Sequence, residues 1–539
     1  MLAVAMLFAG CNLNKISTSS GSDDVALPTD TGAVVMENIV IVGYKDGYKA
    51  DAISLIKSID SGASVRADLA QVKAVSFKTT IGMSALKKAL TTKLTENDTL
   101  AAKFSYIEPS YQRALVEPVK NSSTKIVDSV KSGKTVASQT VPSFYDDYQW
   151  DMRNISAPTA WSAGLTGSGI VVAVVDTGVD GTHPDLAGQT VEGYRPLTGE
   201  TIPSGTDCSY GGAHGTHVSG TIAALNDDEG VIGVAPGAKI MPILIFDTTA
   251  GTYDGDYVGD DLVSEGILWA AAHGARVFSN SWGGKGYSSL LAATIAYVME
   301  EYNGVFVASA GNDHTDEIHY PSCYPGVINV AASDVQDEIV QFSTRGQWVT
   351  VAAPGDYTIL STVPLWDSDE FFDLTNPYAL YGGTSMATPH VTGTIALALE
   401  KLDADSDSYT PYQIRKLIAD TADDIMASGF DNDSGWGRIN AGKAAAASLG
   451  SDEGATLTML FNSSYAYVTL YPESADVPVY YGKADASGYL SIAGIEPGNY
   501  TLYAGSGDAW YAGTKVEAAV AFTESVSLSN GDNSVSVNF

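Results

Sequence analysis

The chain is 539 residues long, with 45% hydrophobic and 17% charged residues. That describes folded, soluble material too long for one ordinary core, so about two to four domains are expected. Its 63 acidic residues against 29 Lys and Arg give a formal charge of −34, which repels nucleic acid and excludes it as a partner. Residues before Val141 are nearly neutral; almost all of the negative charge follows them.

Met1 to Gly10 form an apolar run closed by small residues ahead of Cys11. The run resembles the end of a bacterial lipoprotein signal (residues 1–11), which implies that Cys11 is lipidated and becomes the N-terminus of an exported protein. Residues 12–36 include a Ser-, Thr- and Asp-rich stretch that reads as a flexible tether. No later apolar run approaches the ~20 residues of a spanning helix. In residues 37–115 the spacing predicts a strand at Asn38–Gly43, a helix at Asp51–Ile59, a strand at Val72–Phe77 and a helix at Met83–Leu94, closed by Tyr106-Ile107-Glu108-Pro109. Residues 116–143 lack periodicity and read as an exposed linker open to proteolysis. Over residues 144–450 apolar strands alternate with helices. Strands are expected at Ile170–Val175, Ile240–Phe246, Val277–Ser281, Val305–Ala310 and Val327–Ala332, and helices at Val218–Leu225, Leu262–His273 and Pro389–Leu402. This predicts an α/β unit whose parallel sheet is covered by helices on both faces. Residues 455–539 are short alternating runs punctuated by Gly, Asn, Pro and Ser, the pattern of a small antiparallel β-sandwich.

Three motifs carry the chemistry. They are Asp176-Thr177-Gly178 at the end of an apolar strand, His214-Gly215-Thr216-His217 opening a helix, and Gly383-Thr384-Ser385-Met386-Ala387-Thr388-Pro389 at the start of another. A serine hydroxyl becomes a nucleophile when an imidazole takes its proton and a carboxylate holds that imidazole in the right tautomer. A helix N-terminus offers free N–H groups to a developing oxyanion, and Pro389 is expected in the first turn of that helix. Ala308-Ser309-Ala310-Gly311-Asn312 ends a buried strand on a side-chain amide, which can serve as a second oxyanion donor.

In this order the motifs resemble the subtilisin-like serine peptidases. The resemblance implies a catalytic triad of Asp176, His214 and Ser385, with Asn312 at the oxyanion and His217 as a packed core residue. It implies that Ser281, Trp282, Gly283, Ala310 and Gly311 line the substrate cleft, Ser281–Gly283 pairing with an extended peptide. Residues 37–115 resemble the inhibitor prodomain of these enzymes, so the chain's own prodomain is an expected intramolecular partner. Gly494–Tyr500 resembles a turn of carboxypeptidase-regulatory-like and transthyretin-like modules. Leu225-Asn226-Asp227-Asp228-Glu229-Gly230-Val231 matches the family's calcium loop by position. Asp185, Asp227 and Glu229, the Leu225 and Val231 positions, and Asp146 would then hold a structural calcium. In an exported protein the remaining cysteines, Cys208 and Cys323, are expected to pair. The expectation is a monomeric endopeptidase acting on protein or peptide substrates, made as a self-inhibited precursor. Its membrane contact is expected through the lipid alone, and release of the mature enzyme is expected after the linker is cut. A catalytically silent surface-binding protein on the same scaffold is the alternative.

Overall fold

The computed structural model describes residues 32–116, 148–247, 255–367, 377–452, 454–461, 466–473, 479–505 and 520–537, with two-residue strands at Ile16–Ser17 and Asp24–Val25. Cys11, Asp146 and the 116–143 linker beyond Val116 lie outside the described residues.

The strand Val171–Asp176 is apolar until its last residue, so both of its faces need cover. Alternate side chains enter two cores: Val172 and Val174 on one side of the sheet, Ala173 and Val175 on the other. Eight strands lie in the order Glu200–Ile202, Gly193–Arg195, Lys239–Leu244, Val171–Asp176, Val277–Asn280, Val305–Ser309, Ile328–Ser333, Val351–Pro354. The pairings are parallel apart from the edge pair of Gly193–Arg195 with Glu200–Ile202. The expected strands pair in parallel, and an edge hairpin that was not expected makes the sheet mixed. The turn joining that edge pair is too short for a crossover and closes a hairpin instead. Helices His214–Ala223 and Thr384–Asp405 cover the first face; Asp260–Ala272 and Ser289–Tyr302 cover the second. Val171–Asp176 is flanked by the later strands Lys239–Leu244 and Val277–Asn280, so the strand order switches direction there. The crevice beyond the carboxyl ends at such a switch is where open α/β sheets bind ligands.

The two-face arrangement overturns the expected disulfide. Cys208 and Cys323 are free and buried. Cys208 packs in the first core and Cys323 in the second, on opposite sides of the sheet. Each thiol has local partners: Cys208 Sγ lies 3.2 Å from both the N and the O of Val179, and Cys323 Sγ lies 3.8 Å from Asn329 Nδ2.

The N-terminal unit is a four-stranded antiparallel sheet, in the order Ser64–Leu69, Ala74–Lys78, Val35–Tyr44, Phe104–Tyr111. Helices Lys49–Ile59 and Met83–Thr95 cover one face through Leu55, Ile56, Leu86 and Leu90. Its other face, with Ile41, Leu69, Ala74 and Tyr106, merges into the second core of the large unit. The edge strand Ser64–Leu69 was not expected. Its Ser-Val-Arg-Ala-Asp-Leu sequence is half polar because Arg66 reaches across to pair with Asp261.

The C-terminal residues form two facing sheets around Leu457, Met459, Val468, Leu470, Ile492 and Leu502. One pairing, Ala455–Phe461 with Gly531–Val537, is parallel where an antiparallel sandwich was expected, because the chain changes sheets between Leu528 and Gly531. This sandwich touches both other units. Val479 N donates to Gln347 O at 3.3 Å, and Ala486 N donates to Ser105 O at 2.6 Å.

Candidate active site

Asp176 ends its strand fully buried, a position that is costly for a carboxylate unless it is hydrogen-bonded. It accepts from Thr177 N at 2.7 Å and from His214 Nδ1, which lies 2.9 Å from Oδ1 and 3.1 Å from Oδ2. His214 is the first residue of its helix. Gly215 allows the helix to approach, since a Cβ there would stand 2.2 Å from Gly178 O. Thr177 Oγ1 accepts from Gly215 N at 2.9 Å and ties the helix start to the strand end. His214 Nε2 is buried with no hydrogen-bond partner among the described residues, which leaves an imidazole anchored at one nitrogen and open to take a proton at the other.

Ser385 is the second residue of the helix Thr384–Asp405. Pro389 sits inside that helix, deeper than the expected first turn. It has no N–H for the Ser385 carbonyl four residues earlier. That carbonyl instead accepts from Ser281 Oγ at 3.0 Å. Asn312 Oδ1 accepts from both Thr384 N and Thr384 Oγ1 at 2.9 Å, which turns the amide's NH2 end away from them. A Cβ placed on Gly383 would lie 3.0 Å from Asn312 Nδ2 and 3.6 Å from Ser385 N, so both donors border one small space. Ala310 and Gly311 carry the chain to Asn312, Ala310 N bonding Val330 O at 3.0 Å and Gly311 N bonding Thr384 Oγ1 at 3.2 Å.

The cleft is filled by the chain itself. Trp282 and Gly283 pair antiparallel with Leu115 and Ala114. Val116 N lies 3.4 Å from Ser281 O, and Ser385 Oγ lies 2.7 Å from Val116 O and 3.1 Å from Ser281 O. Val116 thus belongs to the site, although its aperiodic surroundings read as the start of a linker. His217, the second histidine of the motif, is a core residue: its Nε2 lies 3.2 Å from Ile359 O and from Ala379 O, and its ring stacks on Tyr381 at 4.4 Å.

The expected calcium residues converge in part. Asp185 is buried, its backbone O accepts from Leu225 N at 2.9 Å, and its carboxylate accepts from Val231 N at 2.8 Å and Tyr378 OH at 2.9 Å. Burial pushes its carboxyl up to about 7, and the nearby charges of Asp227 and Glu229 push the same way. A crowd of acid groups of this kind suits a hard cation. Among the described residues no three His, Cys, Asp or Glu side chains come close enough to hold an ion by themselves.

The subtilase family matches residues 167–437 of the chain, spanning all three motifs. Fervidolysin of Fervidobacterium pennivorans is 40% identical over 496 residues, covering 88% of this chain and 68% of its own. Thermitase of Thermoactinomyces vulgaris is 38% identical over 305 residues, 56% of this chain and 97% of its own. The crystal structure of fervidolysin, described as a keratinolytic enzyme related to subtilisin, superposes with a TM-score of 0.80 at 36% identity, over 95% of this chain and 79% of that one. With the mixed sheet, the crevice and the motifs in one place, the chain belongs to the subtilase family and is a subtilisin-like serine protease.

Proposed function

We propose that the chain is the self-inhibited precursor of an exported endopeptidase that works through Asp176, His214, Ser385 and Asn312, and that its first substrate is its own Val116–Glu117 bond. The observation that carries this reading is the seating of Val116, its carbonyl 2.7 Å from Ser385 Oγ at the end of a paired substrate-like strand. Ser385 Oγ attacks the carbonyl carbon and gives its proton to His214 Nε2, while Asp176 supports the imidazolium. Ser385 N–H and Asn312 Nδ2 hold the oxyanion. His214 then protonates the departing Glu117 nitrogen, leaving Val116 as an acyl group on Ser385. Water, deprotonated by His214, releases a Val116 carboxylate. Proteins and peptides laid along Ser281–Gly283 follow the same path.

Residues 37–115 and Val116 form the inhibitor. Beyond the tail, Glu108 anchors it by accepting from Ser288 Oγ, Ser289 N and Leu290 N, each at 3.1 Å, at the start of the helix Ser289–Tyr302. Calcium at the Leu225–Val231 loop, held with Asp185, Asp227 and Glu229, is structural in this reading. It offsets the acid groups there, so unfolding should begin at a lower temperature in chelator, by an amount that Asp185→Ala removes. Cys11 is read as lipidated.

Ser385→Ala tests the catalytic reading. The wild-type chain should take up a serine-directed fluorophosphonate and yield a fragment ending at Val116; the variant should do neither and stay full length. A Ser385→Ala chain that still cut itself after Val116 when expressed alone would remove the self-processing claim.

A further inference from the structure

We propose that Asp260 makes the cleft selective for arginine at the fourth residue before the scissile bond. The inference rests on the catalytic reading above, which counts residues from Val116 at Ser385. Leu115 and Ala114 are the second and third, held by backbone pairing to Trp282 and Gly283, and Arg113 is the fourth. Backbone pairing along a strand reads little sequence. The fourth position is built differently.

The side chains of Arg113 and Asp260 have no exposed surface. The pair is bidentate, Nε to Oδ1 and Nη2 to Oδ2, both at 3.1 Å. The remaining nitrogen, Nη1, donates to Gly284 O at 3.2 Å and Lys285 O at 3.0 Å. The guanidinium also stands 5.6 Å from the centre of the Tyr111 ring. Asp260 is fixed on the enzyme side by the helix Asp260–Ala272, whose first residue it is, and by Tyr257 OH at 2.7 Å. Burial disfavours the Arg113 charge, yet the Asp260 charge more than restores it, and its pKa lies above the ordinary arginine value.

When the prodomain leaves, Arg113 leaves with it. The structure supporting Asp260 from the enzyme side stays, and its carboxylate then lacks the cation that satisfied it. A carboxylate that has lost its bidentate cation favours a substrate that returns a matching one. Arginine alone among side chains offers the planar fork for the carboxylate together with donors for two carbonyls. Lysine brings the charge without the fork, and glutamine neither the charge nor the full donor set. The preferred substrate class is therefore proteins presenting arginine in an extended segment three residues ahead of the residue whose carbonyl is attacked.

The test uses the processed wild-type enzyme and four peptides: acetyl-Arg-Ala-Leu-Val-anilide, its Lys and Gln counterparts at the first residue, and acetyl-Gln-Arg-Leu-Val-anilide. The last keeps the positive charge but moves it one residue along the strand, to the opposite side. This separates the pocket from attraction by the acidic surface as a whole. The arginine peptide should exceed the glutamine peptide in kcat/KM by roughly tenfold to a hundredfold, with lysine between them and the displaced arginine no better than glutamine. Asp260→Asn should level the series. Because that variant also leaves Arg113 unpaired during folding, a second one, Arg113→Gln with Asp260 intact, should show weaker inhibition by the prodomain and unchanged peptide selectivity. An enzyme that takes up fluorophosphonate and cuts all four peptides alike overturns the arginine pocket alone. So does one for which the displaced arginine serves equally well. An enzyme that neither labels nor cuts any of them overturns the catalytic reading and the pocket with it.

Discussion

His214 and His217 lie one helical turn apart, both buried, and their surroundings divide their labour. His214 faces the Asp176 carboxylate at Nδ1 and has no hydrogen-bond partner at Nε2 among the described residues. His217 faces two backbone carbonyls and a tyrosine ring, and burial depresses its pKa from 6.5 to about 3, with the charge of His214 acting in the same direction. The unfolded chain takes a proton at the ordinary histidine value, whereas folded His217 refuses it. Below about pH 6.5 the unfolded state therefore binds more protons, and stability falls until about pH 3, by something on the order of a few kcal/mol. His217→Gln keeps a donor for the two carbonyls and removes the titration. Its unfolding midpoint should decline less than the wild type's between these limits, and parallel declines would contradict the assignment. Much of the site at this scale was legible in the sequence. Asp176, His214, Asn312 and Ser385 each sit in a run whose neighbours have a geometric task. The Arg113–Asp260 pair was not legible, because its partners lie 147 residues apart and neither belongs to a recognisable run.

Pro389 shapes the helix on which it stands. By withholding an N–H it leaves the Ser385 carbonyl to Ser281, so the helix bearing Ser385 and the segment leading into Trp282–Gly283 share one hydrogen bond. Ser281→Ala should destabilise the chain by about 1–3 kcal/mol, because the carbonyl is then buried without a donor. Adding Pro389→Ala should recover part of that loss by restoring the helical bond, and thermal melts of the two single variants and the double variant measure the coupling. If the effects simply added, the shared carbonyl would not be the link. At the scale of elements, the long strands and helices were readable from periodicity. The edge strand Ser64–Leu69 was missed because its outward residues serve another unit. The expected Cys208–Cys323 bridge failed because sequence does not reveal which face of a sheet a loop residue joins. The serine helix starts at Thr384, where its motif placed it, and only Pro389 differs, lying inside the helix rather than in its first turn.

At the scale of the whole molecule, the three units are joined more tightly than a beads-on-a-string reading of the sequence suggests. The N-terminal sheet shares a core with the α/β unit, and Ser105, in the strand Phe104–Tyr111, accepts a hydrogen bond from Ala486 of the sandwich. Domain patterns were legible one by one, but contacts between them were not, since each depends on surfaces that only the folded units present. Cutting after Val116 would therefore leave the N-terminal unit held by its tail at Trp282–Gly283, by Glu108 on a helix start, by Arg66 on Asp261 and by Ser105 on the sandwich. The acidic mature part offers no attraction to an anionic membrane, so once loosened it would drift into the medium. Cys11 lies upstream of the prodomain, so a lipid there would hold the inhibitor and not the enzyme. The molecule then has one latch for two properties, its address and its switch. On the proposed reading the protease would be moored and silent while residues 37–116 stay in place, and would become mobile and competent together when they let go. Membrane fractions should hold processed but inactive enzyme, active enzyme should occur only in the medium, and Cys11→Ala should send silent complex into the medium as well. Active enzyme found firmly on membranes would separate the two properties again.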